Sequence, residues 1–332
     1  ALMLAEVSQS EGLEDLEEAF TRSPTFYRTL VRLIEKCARA GDLQRIPPLF
    51  EKCPNQNDVG LNFCKGLYHV YTGEPQKALK LLNSCRNNAE WGVQAMQMIF
   101  IIYANPNRKF VWCETKPLAT SKDLEAAKKV LSRLDPNSVD IQQLRATLLM
   151  SQNTTESIKE ALEIFKEEDD NDINVIIGRC KCYLRLGEQR EVTRSLNNII
   201  HEEAAHQNFA VFSEAFLMMT YISIKDQQID EAEKYVDKAI DLDRSSIKAW
   251  EMRAALFEKK KDFPLAADAY KQAWDLSSHT QLGIGFKLAL NYMRAECPVE
   301  AIKVSRIIME KHPNYPKLKE TIFLPCCALL RP

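Results

Sequence analysis

The sequence contains two histidines on either side of a glutamate pair, an arrangement that could bind a catalytic metal ion. His201, Glu202, Glu203 and His206 resemble the helical motif in which two histidines bind zinc and a glutamate activates water. That motif needs its histidines four residues apart, on one helix face. Here they are five apart, and at about 100° per residue the second histidine points to another face. We therefore expect surface histidines and no metal site.

An acidic run offers a second possible metal site. Asp170, Asn171 and Asp172 resemble the start of a calcium-binding loop. Such a loop needs a glycine at its sixth position and a bidentate glutamate at its twelfth. The chain has Val175 and Lys181 there. The run is better interpreted as an acidic turn whose carboxylates cap the helix that follows.

The ten cysteines do not form a metal-binding pattern. The close groups are Cys180 with Cys182 and Cys326 with Cys327, and neither has the second pair that structural zinc sites show. Most cysteines fall on apolar helical stripes, where cysteine behaves as a small hydrophobe. We expect reduced thiols and an intracellular compartment.

Nucleotide-binding and nucleophile motifs are also missing from the sequence. Gly283 and Gly285 lack the third glycine and the preceding strand of a dinucleotide-binding loop. No P-loop, nucleophile elbow or kinase motif occurs. The Asn153 sequon, inside a polar turn at 151–156, carries little meaning in a reducing compartment. The sequence therefore predicts a protein that is not an enzyme and uses no cofactor.

Composition indicates helices and argues against two classes of partner. Of the 332 residues, 45% are hydrophobic and 27% are charged, and glycine occurs ten times, a balance that favours helices over sheets. The net charge of −2 gives no reason to expect nucleic acid. No apolar run reaches the roughly 18 residues of a membrane span. Because the sequence begins at Ala1 without methionine, we expect a piece of a longer protein.

A repeat of about 34 residues runs along the chain. Its clearest unit has large and small apolar residues on two successive helices, at Trp250, Ala254, Phe257, Ala266, Tyr270 and Ala273. A small side chain on one helix lets the next approach closely, and large neighbours fill the remaining space. Glycines that follow the periodic residues, at positions 41, 73 and 187, predict helix ends.

These residues resemble the tetratricopeptide repeat family, although Arg253 stands where that family has leucine. The resemblance implies an all-α, TPR-like α-α superhelical solenoid of about eight helix pairs. We expect one array over 1–332, led by an unpaired second helix at 13–22. A closing helix and a variant tail are expected at 314–332.

One segment, 104–123, does not fit the period and predicts an inserted loop. Long loops on repeat scaffolds tend to carry contacts. Phe110, Val111 and Trp112 are bulky for an exposed loop. Either they pack against neighbouring helices or they dock a partner.

A groove lined by the first helix of each helix pair is a second candidate binding surface. Repeat positions assign to it Val31, Glu35, Ile177, Lys181, Leu217, Tyr221, Glu251, Ala255, Phe286 and Leu290. Apolar residues there would suit an amphipathic helix or another solenoid. The alternative is that these side chains pack against adjacent helices.

The end of the chain resembles a narrower family. Ile284 to Ala289, Asn291, Tyr292 and the run His312-Pro313-Asn314-Tyr315-Pro316-Lys317 are similar to the C-terminus of tetratricopeptide repeat protein 21. The similarity is strong over 246–320. It departs after Glu320, where this chain is apolar and contains Pro325, Cys326 and Cys327.

The resemblance implies a structural subunit of intraflagellar transport complex A. Such a subunit acts in retrograde ciliary transport, in the cytoplasm and the cilium. Its partners would be the other complex A subunits, which are propeller and solenoid proteins, together with ciliary cargo or adaptor proteins. Two alternatives stay open: the repeat arm of a larger enzyme, such as a glycosyltransferase, and a chaperone adaptor.

Overall fold

The regular secondary structure of this chain is helical. A computed structural model describes residues 2–135, 140–169, 171–200 and 209–329, and for 2–11 it describes the helical backbone alone. Those residues contain eighteen α-helices and no β-strand, which confirms the all-α prediction. None of the helices among them combines the length and the apolar character needed to cross a bilayer.

The first compact unit, 1–205, is a succession of helices most of which pack against the next. The short helix Pro47–Glu51 instead contacts the 3₁₀ turn before it, and the helices on either side of it pack directly against each other. Short 3₁₀ turns lie at Leu43–Arg45 and Val111–Cys113. The helices are α1 (Leu2–Arg22), α2 (Tyr27–Ala40), α3 (Pro47–Glu51), α4 (Val59–Tyr71), α5 (Pro75–Cys85), α6 (Gly92–Ala104), α7 (Ser121–Leu131), α8 (Ile141–Gln152), α9 (Thr155–Glu167), α10 (Ile173–Leu186) and α11 (Gln189–Ile200).

The second compact unit, 206–332, repeats the same arrangement with more regular spacing. A turn of π-helix, Lys319–Phe323, precedes its last helix. The helices are α12 (Phe209–Lys225), α13 (Ile229–Leu242), α14 (Ile247–Lys260), α15 (Phe263–Leu276), α16 (Leu282–Arg294), α17 (Pro298–Lys311) and α18 (Leu324–Leu329). The expectation of a single array across both units stays a prediction.

Helix ends follow the local sequence. The side chain of Asp172 caps α10 by accepting a hydrogen bond from the Asn174 amide at 2.8 Å, so the predicted acidic capping turn is confirmed at this residue. Gly187 then ends α10 with φ 88°, and Gly41 ends α2 with φ 76°. Glycine adopts this left-handed conformation without a Cβ clash. The stops predicted at these two glycines are therefore confirmed.

Neighbouring helices approach closely where a glycine faces an aromatic ring. A Cβ added to Gly285 on α16 would lie 2.7 Å from the Trp274 indole of α15. Gly178 on α10 faces the ring of Phe165 on α9 in the same way. Trp274 and Phe165 are buried, so each ring fills space that a side chain on the neighbouring helix would otherwise occupy. Gly285 thus has a packing role that explains it without a nucleotide.

Two chain ends differ from expectation. The leading helix begins at Leu2, well before the predicted start at Leu13. After Tyr315 the closing segment is a π-helical turn followed by a six-residue helix. Pro325 lies at this junction and has no amide hydrogen for the carbonyl of Thr321, so the α-helical hydrogen-bond ladder is interrupted there.

Candidate partner-binding surfaces

Neither a metal site nor a reactive thiol pair finds support in the described part of the chain. No group of three histidine, cysteine or carboxylate residues could hold a metal ion there. Burial raises the pKa of both Cys180 and Cys182 to about 12, so these thiols stay protonated and are poor nucleophiles. The pair His201 and His206 lies outside the described residues, as does Asp170.

Asp172 is committed to the fold. While one carboxylate oxygen caps α10, the other accepts a hydrogen bond from Gln143 Nε2 on α8 at 2.8 Å. Both carboxylate oxygens thus make hydrogen bonds within the fold. The acidic turn therefore orients α10 and joins it to α8.

The segment between α6 and α7 spans 105–120 and folds inward at its middle. Val111 and Trp112 are buried, with 5% and 4% of their surface exposed, whereas Phe110 is half-buried. The 3₁₀ turn that contains them packs against α10. The Phe110 and Trp112 rings lie 5.2 Å apart. This arrangement favours packing over partner docking for Val111 and Trp112, because buried side chains are not accessible to a partner.

The side-chain amide of Asn153 makes three hydrogen bonds that help to hold the loop in place. Asn153 follows α8 in the left-handed conformation, with φ 53°, and is 3% exposed. Its Nδ2 donates hydrogen bonds to the carbonyls of Glu114 and Lys116, both at 2.9 Å. Its Oδ1 accepts one from Arg185 Nε of α10 at 2.7 Å. Asn153 therefore connects the loop, the end of α8 and α10.

The role of Asn153 was missed in the sequence, where 151–156 looked like a simple polar turn. The backbone adds to the connection, because the Leu118 amide donates to the Ser151 carbonyl at 2.9 Å. The available signal was an asparagine directly after a helical pattern, since asparagine often ends helices in the left-handed conformation. Nothing in the sequence indicated that its amide reaches carbonyls almost forty residues earlier.

The groove positions of α12 divide into one buried and one half-buried residue. Leu217 is 1% exposed and belongs to the interior, so its assignment to a binding surface is corrected here. Tyr221 is half-buried, and the Lys225 ammonium lies 4.5 Å from its ring centroid. Only Tyr221 of this pair presents surface to solvent.

The groove positions of α16 keep part of their surface exposed. Phe286 and Leu290 are half-buried and pack on the core of the second unit. The Phe286 ring lies 5.9 Å from the ring of Tyr315. Both remain available as apolar contacts at a partner surface, and their assignment stays a prediction.

Between α14 and α16 the predicted groove is ionic rather than apolar. Lys287 Nζ lies 2.8 Å from Glu251 Oε1, and Lys248 Nζ lies 3.0 Å from Glu251 Oε2. Burial by itself would raise the pKa of Glu251, but the two ammonium groups outweigh it and the net pKa is lowered. Glu251 therefore stays ionised and joins the two helices.

A second polar contact between α14 and α16 lies deeper. Asn291 is fully buried, and its Nδ2 donates to Glu258 Oε1 at 2.6 Å. The hydroxyl of Tyr270, also fully buried, donates to Glu258 Oε2 at 3.0 Å. Burial raises the pKa of this phenol, and the neighbouring carboxylate raises it further. These bonds fix the spacing of the first helices.

Two family models match most of this chain. A family model described as the tetratricopeptide repeat protein 21 C-terminal ARM domain matches residues 120–326. A second, the TT21 fifth ARM repeats domain, matches 1–103. The positions between the two matches, 104–119, coincide with most of the loop that Asn153 holds.

Individual relatives agree with these models. The chain is 29% identical to human tetratricopeptide repeat protein 21B over 92% of its length, and 26% identical to human tetratricopeptide repeat protein 21A over all of it. It spans about a quarter of the length of these relatives, 25% and 27%. Among solved structures, the crystal structure of MamA has a TM-score of 0.41 at 16% identity, covering 50% of this chain and 95% of that one.

Proposed function

This chain belongs to the tetratricopeptide repeat protein 21 family, and from that premise we propose that it is a non-catalytic subunit segment of intraflagellar transport complex A. In this role it would hold other complex A subunits during retrograde transport, in the cytoplasm and the cilium. Its partners would be propeller and solenoid proteins, with ciliary cargo or adaptor proteins as further candidates.

The match of the C-terminal family domain over 120–326 is the observation that carries this proposal. The fold is consistent with a protein-interaction role, because rows of helices present wide side-chain surfaces and the ion-paired first helices keep their spacing. Fold alone does not identify a partner. The complex A assignment therefore depends on the family.

The experiment is affinity purification of the tagged chain from ciliated cells, followed by cross-linking mass spectrometry. We expect complex A subunits to co-purify and to cross-link to lysines near Leu290. Leu290→Ala tests the groove, and Leu265→Ala is its matched control because Leu265 is 45% exposed on a second helix, α15. Leu290→Ala should lower recovery of the partners, whereas Leu265→Ala should not.

Two results would count against the complex A assignment, and a third would count against the role of the groove. Purification that recovers chaperones in place of complex A subunits would favour the adaptor alternative. Recovery of a glycosyltransferase domain on the parent polypeptide would favour the enzyme-arm alternative. Equal losses for Leu290→Ala and Leu265→Ala would remove the groove from the proposal, although the complex A assignment would stand.

A further inference from the structure

A cleft in the first unit is lined by none of the loop or groove residues named above. It measures about 450 Å³ and opens where α5 ends, α6 begins and α7 ends. α6 packs against both of the other helices. The volume lies in the range of about 300–1,000 Å³ that ligand pockets occupy, so the cleft can receive a short stretch of a partner chain.

The wall formed by the α5–α6 turn is hydrogen-bonded and closely packed. Asn88 Oδ1 accepts hydrogen bonds from the amides of Glu90 and Trp91 at 2.9 and 3.0 Å. Trp91 is buried and its ring centroid lies 4.9 Å from that of Phe63. A Cβ on Gly92 would lie 2.7 Å from the Arg86 carbonyl oxygen. The turn is therefore held before any ligand binds.

The lining of the cleft combines apolar surface with two arginines. Val93 is 40% exposed, Met96 is half-buried, and Leu134 is buried behind them. Arg86 enters from the end of α5, and Arg133 enters from just beyond α7. The two guanidinium groups thus come from different helix ends around an apolar patch.

Charge around the cleft favours an anion. Arg86 and Arg133 are exposed and make no ion pair with any described residue. Among the described residues that line the cleft, Asp135 supplies the one carboxylate. The nearby carboxylate of Glu90 is paired with Arg28 at 2.9 Å. Two guanidinium groups are therefore available to an incoming ligand, and guanidinium recognises carboxylates through paired hydrogen bonds.

We propose that this cleft, lined by Arg86, Arg133, Val93 and Met96, binds an acidic, extended segment of a partner protein. The segment would place an apolar side chain on Val93 and Met96 and a carboxylate on each arginine. Nucleic acid fits poorly, because the cleft offers two cations in a chain of net charge −2 and phosphate backbones need many.

The inference rests only on the protein-binding part of the proposed function. The partner that binds the cleft need not be a complex A subunit. If the purification from ciliated cells failed while an acidic peptide still bound the cleft, the complex A proposal would fall and this one would stand.

The test uses fluorescence anisotropy with the whole chain and a short labelled peptide that has one leucine between glutamates. Arg86→Glu combined with Arg133→Glu should weaken binding at least about fivefold, since two attractive pairs become repulsive. Val93→Ser should weaken it about two- to threefold through lost apolar contact. Binding to the unaltered chain should weaken as salt rises, because exposed charges are screened.

Matched controls separate the cleft from general charge. Arg145→Glu combined with Arg190→Glu changes the net charge equally at two exposed arginines on α8 and α11 and should leave binding unchanged. Circular dichroism melting should be the same for all variants, because every altered side chain is at least partly exposed. A peptide with serine in place of leucine should bind less tightly.

Several outcomes would overturn the proposal. The double reversal at the cleft could bind as tightly as the unaltered chain, or the control double reversal could weaken binding equally. A lysine-rich peptide could bind as well as the acidic one. Binding restricted to phosphoserine peptides or to anionic vesicles would equally reject a carboxylate-bearing segment as the occupant.

Discussion

The region from α14 to α17 and the region from α6 to α10 solve the same packing problem differently. In the first, small residues such as Ala254 and Ala273 are buried between successive helices, and Gly285 faces the Trp274 ring. In the second, a loop interrupts the succession, and the hydrogen bonds of Asn153 connect what lies on either side. Both regions use close packing and hydrogen bonds, since Gly178 faces Phe165 in the second and Asn291 bonds to Glu258 in the first. The difference is that the second region contains a loop, and the amide of Asn153 connects that loop to the neighbouring helices.

The comparison shows which contacts the repeat in the sequence can predict and which it cannot. Packing of rings against small residues depends on volume, which repeats every helix pair and can be found by spacing. A hydrogen bond depends on one donor, one acceptor and one backbone conformation. Such a contact occurs once, so no period reveals it.

The largest expected effect is in the periodic region. Trp274→Ala removes a buried indole that fills the space beside Gly285, and it should cost about 3–5 kcal/mol. Denaturant unfolding of the chain, with hydrogen exchange on α16, measures this. Unchanged protection of α16 would show that the ring is not what holds the two helices together.

Trp112→Ala tests the irregular region and should cost about 3 kcal/mol, because the indole is buried against neighbouring helices. Thermal melting should fall by several degrees. The contrast is with a docking tryptophan, whose loss would weaken a partner and leave the melting temperature unchanged. Phe110→Ala, at a half-buried position, is the comparison and should cost less.

Asn153→Ala should destabilise by about 2 kcal/mol, because two carbonyls and a guanidinium lose their hydrogen-bond partner. Asn153→Gly keeps the left-handed backbone accessible and so separates conformation from hydrogen bonding. If hydrogen bonds dominate, both variants should increase hydrogen exchange across 105–120. Full recovery in Asn153→Gly would mean that backbone conformation was the main contribution.

Gly285→Ala and Gly283→Ala form a matched pair on α16. The first should destabilise by about 1–2 kcal/mol, because the added Cβ meets the Trp274 ring and the clash exceeds the gain in helix propensity. The second has open space up to the Tyr315 hydroxyl at 4.0 Å and should stabilise by at most about 1 kcal/mol. Melting curves of the two variants measure these changes, and equal shifts in melting temperature would contradict the close-contact explanation.

The smallest expected effect concerns Glu251. Since its folded pKa lies below its ordinary value, the ionised carboxylate stabilises the fold above about pH 4.5, and that contribution is lost as the pH falls through the folded pKa. Glu251→Gln should therefore cost below about 1 kcal/mol near neutral pH. The difference should shrink as the pH falls below about 4.5 and through the lowered folded pKa. A constant difference across this range would assign the effect to packing.

Much of the fold could be predicted from the sequence because it depends on repeated patterns. Helix ends at Gly41 and Gly187, and the cap at Asp172, follow from local backbone chemistry. The candidate binding surfaces were harder to predict from the sequence. Leu217 was assigned to the groove by counting positions, yet a shift of one residue on a helix turns a side chain by about 100° and carries it into the core.

The remaining features depend on contacts between residues distant in sequence. Glu251 is kept ionised by Lys248 on its own helix and by Lys287 on α16, and the contact with Lys287 joins residues distant in sequence. The cleft beside Arg86 needs α7 to bring Arg133 alongside. Neither partnership is encoded in a local pattern.

The pairing of Trp274 with Gly285 limits how this protein can diverge. Because volume given up on one helix is taken by the other, neither position tolerates enlargement or truncation independently. A smaller ring becomes acceptable only together with a larger partner. We therefore expect substitutions in these arrays to arise as compensating pairs, which let composition drift while the distance between helix axes is conserved.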